Sequence, residues 1–139
     1  MMIPRDRFAR DHTGTSAVEF ALVLPLLACL LYGILGYGQY FLYAHSVQQL
    51  ANDAARATVA GLTASERQSL ASTSVSTEVT ALRQLPAERV TTAIDETANT
   101  VTVRVRFDAS TAPLFRNSLI PMPDPLIERR AVVRPGGIS

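Results

Sequence analysis

From Phe20 to Ala44 the chain runs for 25 residues without a formal charge, FALVLPLLACLLYGILGYGQYFLYA. About 20 apolar helical residues cross the hydrocarbon core of a bilayer, so this run predicts a membrane-spanning helix. A helix is also the one local structure that satisfies its own backbone hydrogen bonds in lipid. A secretory signal peptide has an apolar core of only ~7–15 residues and then a small-residue cleavage site. This run is longer and no A-x-A site closes it, which predicts a retained anchor over residues 15–44. Tyr32, Tyr37, Tyr40 and Tyr43 gather toward its distal half, where a helix leaves the bilayer through the headgroups. Arg5, Arg7 and Arg10 precede it, and by the positive-inside rule they put the N-terminus in the cytoplasm; Asp6 and Asp11 weigh little in that rule. Residues 45–139 are then expected on the periplasmic or outer side, in a single-pass topology.

Pro25, Gly33, Gly36 and Gly38 interrupt the run. Proline removes a backbone hydrogen bond and kinks a helix, and small residues let helices approach closely in lipid. Two readings stand: these residues are simply commoner in membrane helices, or they loosen and pack the helix when subunits bundle.

Just before the run lies a lone carboxylate, Glu19, five residues after Gly14 and next to Phe20. A carboxylate at the edge of hydrocarbon is costly and is rarely there without a role. As an ordinary helix residue it would complement the helix dipole in the first turn, with Thr15 or Ser16 as N-cap and Ser16-Ala17-Val18-Glu19 as a capping box. The alternative is a processing motif. Gly14, Glu19 and Phe20 ahead of an apolar helix resemble the processing site of type IV prepilins, and most of all the TadE-like family, pilin-like minor subunits of the tight-adherence (Flp) pilus machinery.

The resemblance spans about Thr13 to Gln39, and more loosely the helix-then-strands order that follows. It implies cleavage after Gly14 by a prepilin peptidase, an aspartyl membrane protease on the cytoplasmic face, with loss of the leader 1–14. It also implies an inner-membrane location and, as partners, other pilin or pseudopilin subunits and the pilus assembly platform. After such a cut, Thr15 would carry a free ammonium one helical turn from Glu19, and the two charges could neutralise each other within or between subunits. A buried pair loses far less on entering a bundle than either charge alone. A rival motif, Leu26-Leu27-Ala28-Cys29, loosely matches a bacterial lipobox. Leucine fits poorly before the small residue, and the chain stays apolar after Cys29, where lipoproteins turn polar. Cys29 reads better as a small apolar helix residue.

Beyond the anchor the helix is expected to continue. Val47, Leu50, Ala51, Ala54, Ala55, Thr58 and Leu62 recur at three- and four-residue steps, opposite Gln48, Gln49, Asn52, Asp53 and Arg56, with Gly61 as the stop. From Thr15 this makes about 45 residues, or ~65–70 Å. Thr63-Ala64-Ser65-Glu66 is a capping box that opens a second helix to about Leu85, with Leu70, Val75, Val79 and Leu82 on one side and Pro86 after it. The period then changes to two. Val90, Thr92 and Ile94 alternate, as do Val101, Val103, Val105 and Phe107, giving an antiparallel pair joined across Asp95 to Thr100. A third strand is expected over about Ile127 to Arg134 with Ala131 and Val133 inward. Thr111-Ala112-Pro113 predicts a short helix through Leu119, and Pro121, Pro123 and Pro125 an extended connection. Gly136 to Ser139 reads as a frayed tail. The expected fold is α+β and pilin-like: a long N-terminal helix, a second helix and a three-stranded antiparallel sheet.

The balance of charge separates function classes. There are 13 basic and 12 acidic residues, no lysine among the basic ones, and no basic stripe with interleaved aromatics to bind nucleic acid. The single cysteine excludes a disulfide within the subunit. His12 and His45 are far apart, no His/Cys/carboxylate cluster has metal-ligand spacing, and no glycine-rich phosphate loop occurs. The adjacent pair Asp95-Glu96 reads as hairpin loop. No enzyme, cofactor, metal or small-molecule substrate is expected. Three readings remain: a processed minor pilin, an unprocessed bitopic scaffold of the same machinery, and a lipid-anchored periplasmic binding domain.

Overall fold

The structure, a computed structural model, describes residues 12–116 and 120–135, with the side chains of 12 and 13 left aside. The leader arginines, the end of the expected 111–119 helix and the tail 136–139 lie outside these residues. Helix α1 (His12–Thr58) is followed by α2 (Ala64–Ala81), a single 3-10 turn (Ala87–Arg89), and strands β1 (Val90–Glu96), β2 (Val101–Asp108) and β3 (Leu126–Val133). The strands form an antiparallel meander in the order β1-β2-β3, so the fold is α+β with two helices and one three-stranded sheet.

One helix runs through the apolar segment and into the core. Its distal part is amphipathic as the spacing predicts: Val47, Leu50, Ala51, Ala54, Ala55 and Thr58 are all buried. The alanines keep this stripe narrow, which lets α2 and the sheet approach the same helix closely. Thr58 tolerates burial because its hydroxyl donates to the Ala55 carbonyl at 2.6 Å. Leu62 departs from the expected stripe. The helix ends at Thr58, so Leu62 falls outside the helical period and is 88% exposed.

Gly61 does not end the helix by a left-handed cap, since no glycine among the described residues has a positive φ. Its role is close approach. A Cβ there would meet the Arg67 backbone nitrogen at 2.9 Å and its Cγ at 2.7 Å. Arg67 also fastens this corner: one guanidinium nitrogen donates to the Gly61 carbonyl at 2.9 Å, and the other pairs with Glu96 at the end of β1. The capping box forms in full, with the Glu66 amide donating to Thr63 Oγ1 at 3.2 Å and the Thr63 amide donating to Glu66 Oε2 at 3.1 Å. Hydrogen bonds from the Thr63 and Leu62 amides hold the Glu66 carboxyl below the usual carboxylate range. Helix α2 stops at Ala81, four residues before the expected Leu85, because Leu82 leaves helical geometry at ψ 85° while its amide still bonds back to Glu78 and Val79. Leu85 is nonetheless buried, now from the connecting segment.

The inner face of the sheet is apolar and the outer face polar. Val101, Val103, Val105 and Phe107 of the central strand are buried together with Ile127 of β3, and the Tyr43 ring meets Phe107 edge-on at 5.1 Å. On the outer face Arg104 pairs with Asp95 and Arg106 with Glu128. Two expectations need correction. Asp95 and Glu96 are not loop residues; they continue β1 opposite Thr102 and Val101, and the turn is the tighter Thr97–Thr100, closed by Thr97 N–H on the Thr100 carbonyl at 2.9 Å. Their carboxylates find arginines, which removes the reason for them to lie in a loop. The expected helix from Thr111 is also absent among the described residues: 111–116 make successive turns, with the Ala112 amide on Ala109 and the Phe115 amide on Ala112. The prolines at 121, 123 and 125 do keep the following segment irregular.

Two outcomes test this packing, both read by thermal unfolding of the full chain in detergent. Gly61→Ala should lower stability by about 1–3 kcal/mol, because the backbone of Arg67 cannot yield as a flexible side chain would. Glu78, on α2, is pushed above the usual carboxylate range, first by burial and then by the charge of Asp53 on α1, against a 3.0 Å hydrogen bond from Ser74. A raised folded pKa means that ionised Glu78 weakens the fold above that pKa, and the penalty vanishes as pH falls below the unfolded value. Glu78→Gln should therefore raise Tm by about 1–3 °C at neutral pH, with the gain closing as the solution is acidified into the carboxylate range.

Candidate functional site

The motif residues stand on a part of α1 that is exposed throughout, from Gly14 to Leu31. The helix is already formed at His12, so Ser16-Ala17-Val18-Glu19 does not cap it and Glu19 is not a first-turn carboxylate of the intact chain. A β-carbon on Gly14 would meet no atom within 4 Å. Thr15 and Glu19 are exposed and one turn apart, and Phe20 is 63% exposed. From Phe20 to Leu31 every residue is exposed, including Leu22, Val23, Leu26, Leu27 and Leu30, and the helix passes Pro25 without a break. An apolar surface on all sides of a helix has no place in water. Among the described residues this is one helix long and apolar enough to cross a membrane, and it gives the chain the form of a single-pass anchored protein. Cys29 is a free thiol exposed on the same surface.

The glycines divide into two kinds. Gly38 faces open space. Gly33 and Gly36 face the connection between β2 and β3, where a Cβ on Gly33 would lie 3.5 Å from Ile120 Cδ1 and one on Gly36 would lie 3.0 Å from Met122 Sδ. Two tyrosines close over the same segment: Tyr37 donates its hydroxyl to the Pro121 carbonyl at 2.8 Å, and Tyr32 donates to the Leu114 carbonyl at 3.4 Å. The Tyr40 ring lies 6.3 Å from Phe115. The connection is pinned at both ends by short aspartate turns, Asp108 accepting from the Ser110 amide at 2.9 Å and Asp124 from the Leu126 amide at 2.8 Å. Hydrogen bonds from Ser110 keep the Asp108 carboxyl below its ordinary range.

Sequence reasoning missed this contact. Its signal was present but divided: glycines three apart on the helix, and Ile120 and Met122 alternating with prolines some 80 residues later. Neither half names the other. Elsewhere among the described residues no reacting groups converge. His45 is exposed, Asp95 and Glu96 are held in ion pairs, and no group of three or more metal-binding side chains gathers among the described residues.

Likeness to known proteins lies on this same helix. The family model described as TadE-like protein matches residues 14–56. No curated protein and no solved structure matches the chain. The matched segment starts on the motif glycine, runs past Gln39 where the motif-based likeness was strongest, and stops short of α2 and the sheet. Over its first helix, from Gly14 to Arg56, the chain is similar to the TadE-like family.

Proposed function

We propose that this protein is a minor pilin, or pseudopilin, of a tight-adherence type IV pilus system, cut after Gly14 by a prepilin peptidase and assembled with other pilin subunits through its N-terminal helix. The observation that carries the reading is the coincidence of Gly14, Glu19 and Phe20 with the start of a helix whose residues from Gly14 to Leu31 are all exposed and, from Phe20, apolar on every side. A helix apolar on every side is suited to lipid first and to a bundle of like helices afterwards. The protein would sit in the bacterial inner membrane with its N-terminus in the cytoplasm and residues 45–139 outside, and it performs no catalysis.

Proteolysis of the Gly14–Thr15 bond requires local unwinding, since proteases bind extended substrate and this bond lies within helix. Unwinding here exposes no buried side chain, since Gly14 and Thr15 are already exposed, and glycine is a weak helix former. The helical state of the bond also supports a second reading, in which the chain stays uncleaved and serves as a bitopic scaffold of the same machinery. The mature N-terminus separates them. In cells with the peptidase, N-terminal sequencing of the native protein should begin at Thr15, and Gly14→Leu should block the cut while membrane insertion is retained. Recovery of the uncut chain alone in peptidase-positive cells leaves the scaffold reading.

Cleavage would also change what Glu19 is. Thr15 would start the helix with a free ammonium, and Glu19 would enter the first turn as its partner. Glu19→Ala should still be cut, because the bond after Gly14 is unchanged, but co-purification with partner pilins should fall more than about a hundredfold, as when one member of a buried charge pair is removed. Unchanged recovery at equal subunit level would leave Glu19 with only a helix-dipole role.

A further inference from the structure

The β2–β3 connection lies against the distal part of the apolar run, at Gly33 and Gly36. Counted along the axis from Glu19, the last charge before the run, Gly33 stands at about 21 Å and Gly36 at about 26 Å, whereas the hydrocarbon core is about 30 Å thick. Ile120 and Met122, seated on those two glycines, therefore fall within the outer part of the slab that the helix itself defines. On the helix faces beside them Ile34, Leu35, Phe41 and Leu42 remain exposed, so the apolar surface does not end where the connection begins. A groove bounded by Cys29, Leu30, Gly33, Ile34, Tyr37 and Ile120 joins the two surfaces without a polar break.

Two prolines and one paired carbonyl lower the backbone cost of that depth. Irregular chain is tolerated in lipid only where its polar groups are satisfied by protein. Pro121 and Pro123 have no N–H to satisfy, and the Pro121 carbonyl takes its hydrogen bond from Tyr37. Ile120 and Met122 are half-buried, covered by the helix on one side and open on the other. The nearest charges along the connection, Arg116 and Asp124, are exposed and flank the apolar stretch. We infer that Ile120–Pro121–Met122 is a second membrane-contacting element, inserted among the acyl chains of the outer leaflet alongside α1. The inference rests on the anchor reading of α1, and the protein then meets the bilayer with a helix and a proline-containing finger, Ile120–Pro121–Met122, rather than with a helix alone.

The test uses the full chain with Cys29→Ala, reconstituted at low density in phosphatidylcholine–phosphatidylglycerol vesicles, with one nitroxide label at a time at Leu24→Cys, Met122→Cys or Val132→Cys. Collision with oxygen reports lipid, and collision with a water-soluble nickel chelate reports solvent. Leu24 lies in the span and Val132 on the outer sheet face. The label at 122 should be at least about threefold less accessible to the chelate than that at 132, with oxygen accessibility between those of the two controls. Chelate accessibility at 122 equal to that at 132 overturns the inference while a lipid signature at 24 leaves the anchor intact; an aqueous signature at 24 overturns the anchor reading itself. Exclusion of both reagents at 122 means that protein covers the finger, and also overturns it. Ile120→Cys repeats the measurement if the 122 variant does not insert at full yield.

Discussion

The stripe of Val47, Leu50, Ala51, Ala54, Ala55 and Thr58 is enclosed by α2 and the sheet at once, and the remaining structure depends on that burial. Neither α2 nor a three-stranded meander of this size has enough apolar surface to stand alone. Both close on one helix, and the small side chains along it bring them near enough to share it. Because that helix is continuous with the apolar N-terminal segment, the folded part is joined to the anchor by helical backbone hydrogen bonds and not by a linker. The exposed and the buried halves of α1 therefore share one continuous run of helical backbone.

Around this core the polar groups fix orientation. Arg67 reaches from α2 to the α1–α2 corner and to the end of β1, so a single guanidinium ties three elements. Gln48 on α1 donates to the Arg130 carbonyl of β3 at 3.3 Å, and Gln84 reaches Ser46 at 3.4 Å. Tyr32 and Tyr37 do the same for the β2–β3 connection at the point where helix and anchor merge. Two of the four tyrosines that the sequence offers as a headgroup belt are therefore engaged with the chain's own backbone, and Tyr43 closes the core on Phe107. An amphipathic ring serves either purpose, since its apolar body packs while its hydroxyl takes a polar partner.

Much of the fold was legible because its signals are local. The capping box at Thr63 and Glu66 formed as spaced, and alternation placed Val101, Val103, Val105 and Phe107 on the buried face. Errors came where a distant partner decided. Asp95 and Glu96 look like turn residues until Arg104 and Arg67 are brought to them. Thr111-Ala112-Pro113 has the chemistry of a helix start, yet turns suffice where Ala112 and Phe115 must pack back on the core. Leu62 kept the helical period on paper after the helix had ended.

The sequence by itself determined that residues 20–44 form an apolar helix, that a glycine and a glutamate stand ahead of it at fixed spacing, and that its amphipathic continuation, a second helix and three strands follow in order. Those are consequences of backbone hydrogen bonding, local side-chain chemistry and periodicity, which act over a few residues. Only the tertiary structure decided that Gly33 and Gly36 accommodate Ile120 and Met122 while Gly38 stays open, and that Gly61 is needed for the approach of Arg67. Missing side chains carry no address: a glycine marks room for something, and what fills the room is settled by which distant segment the packed core brings to it.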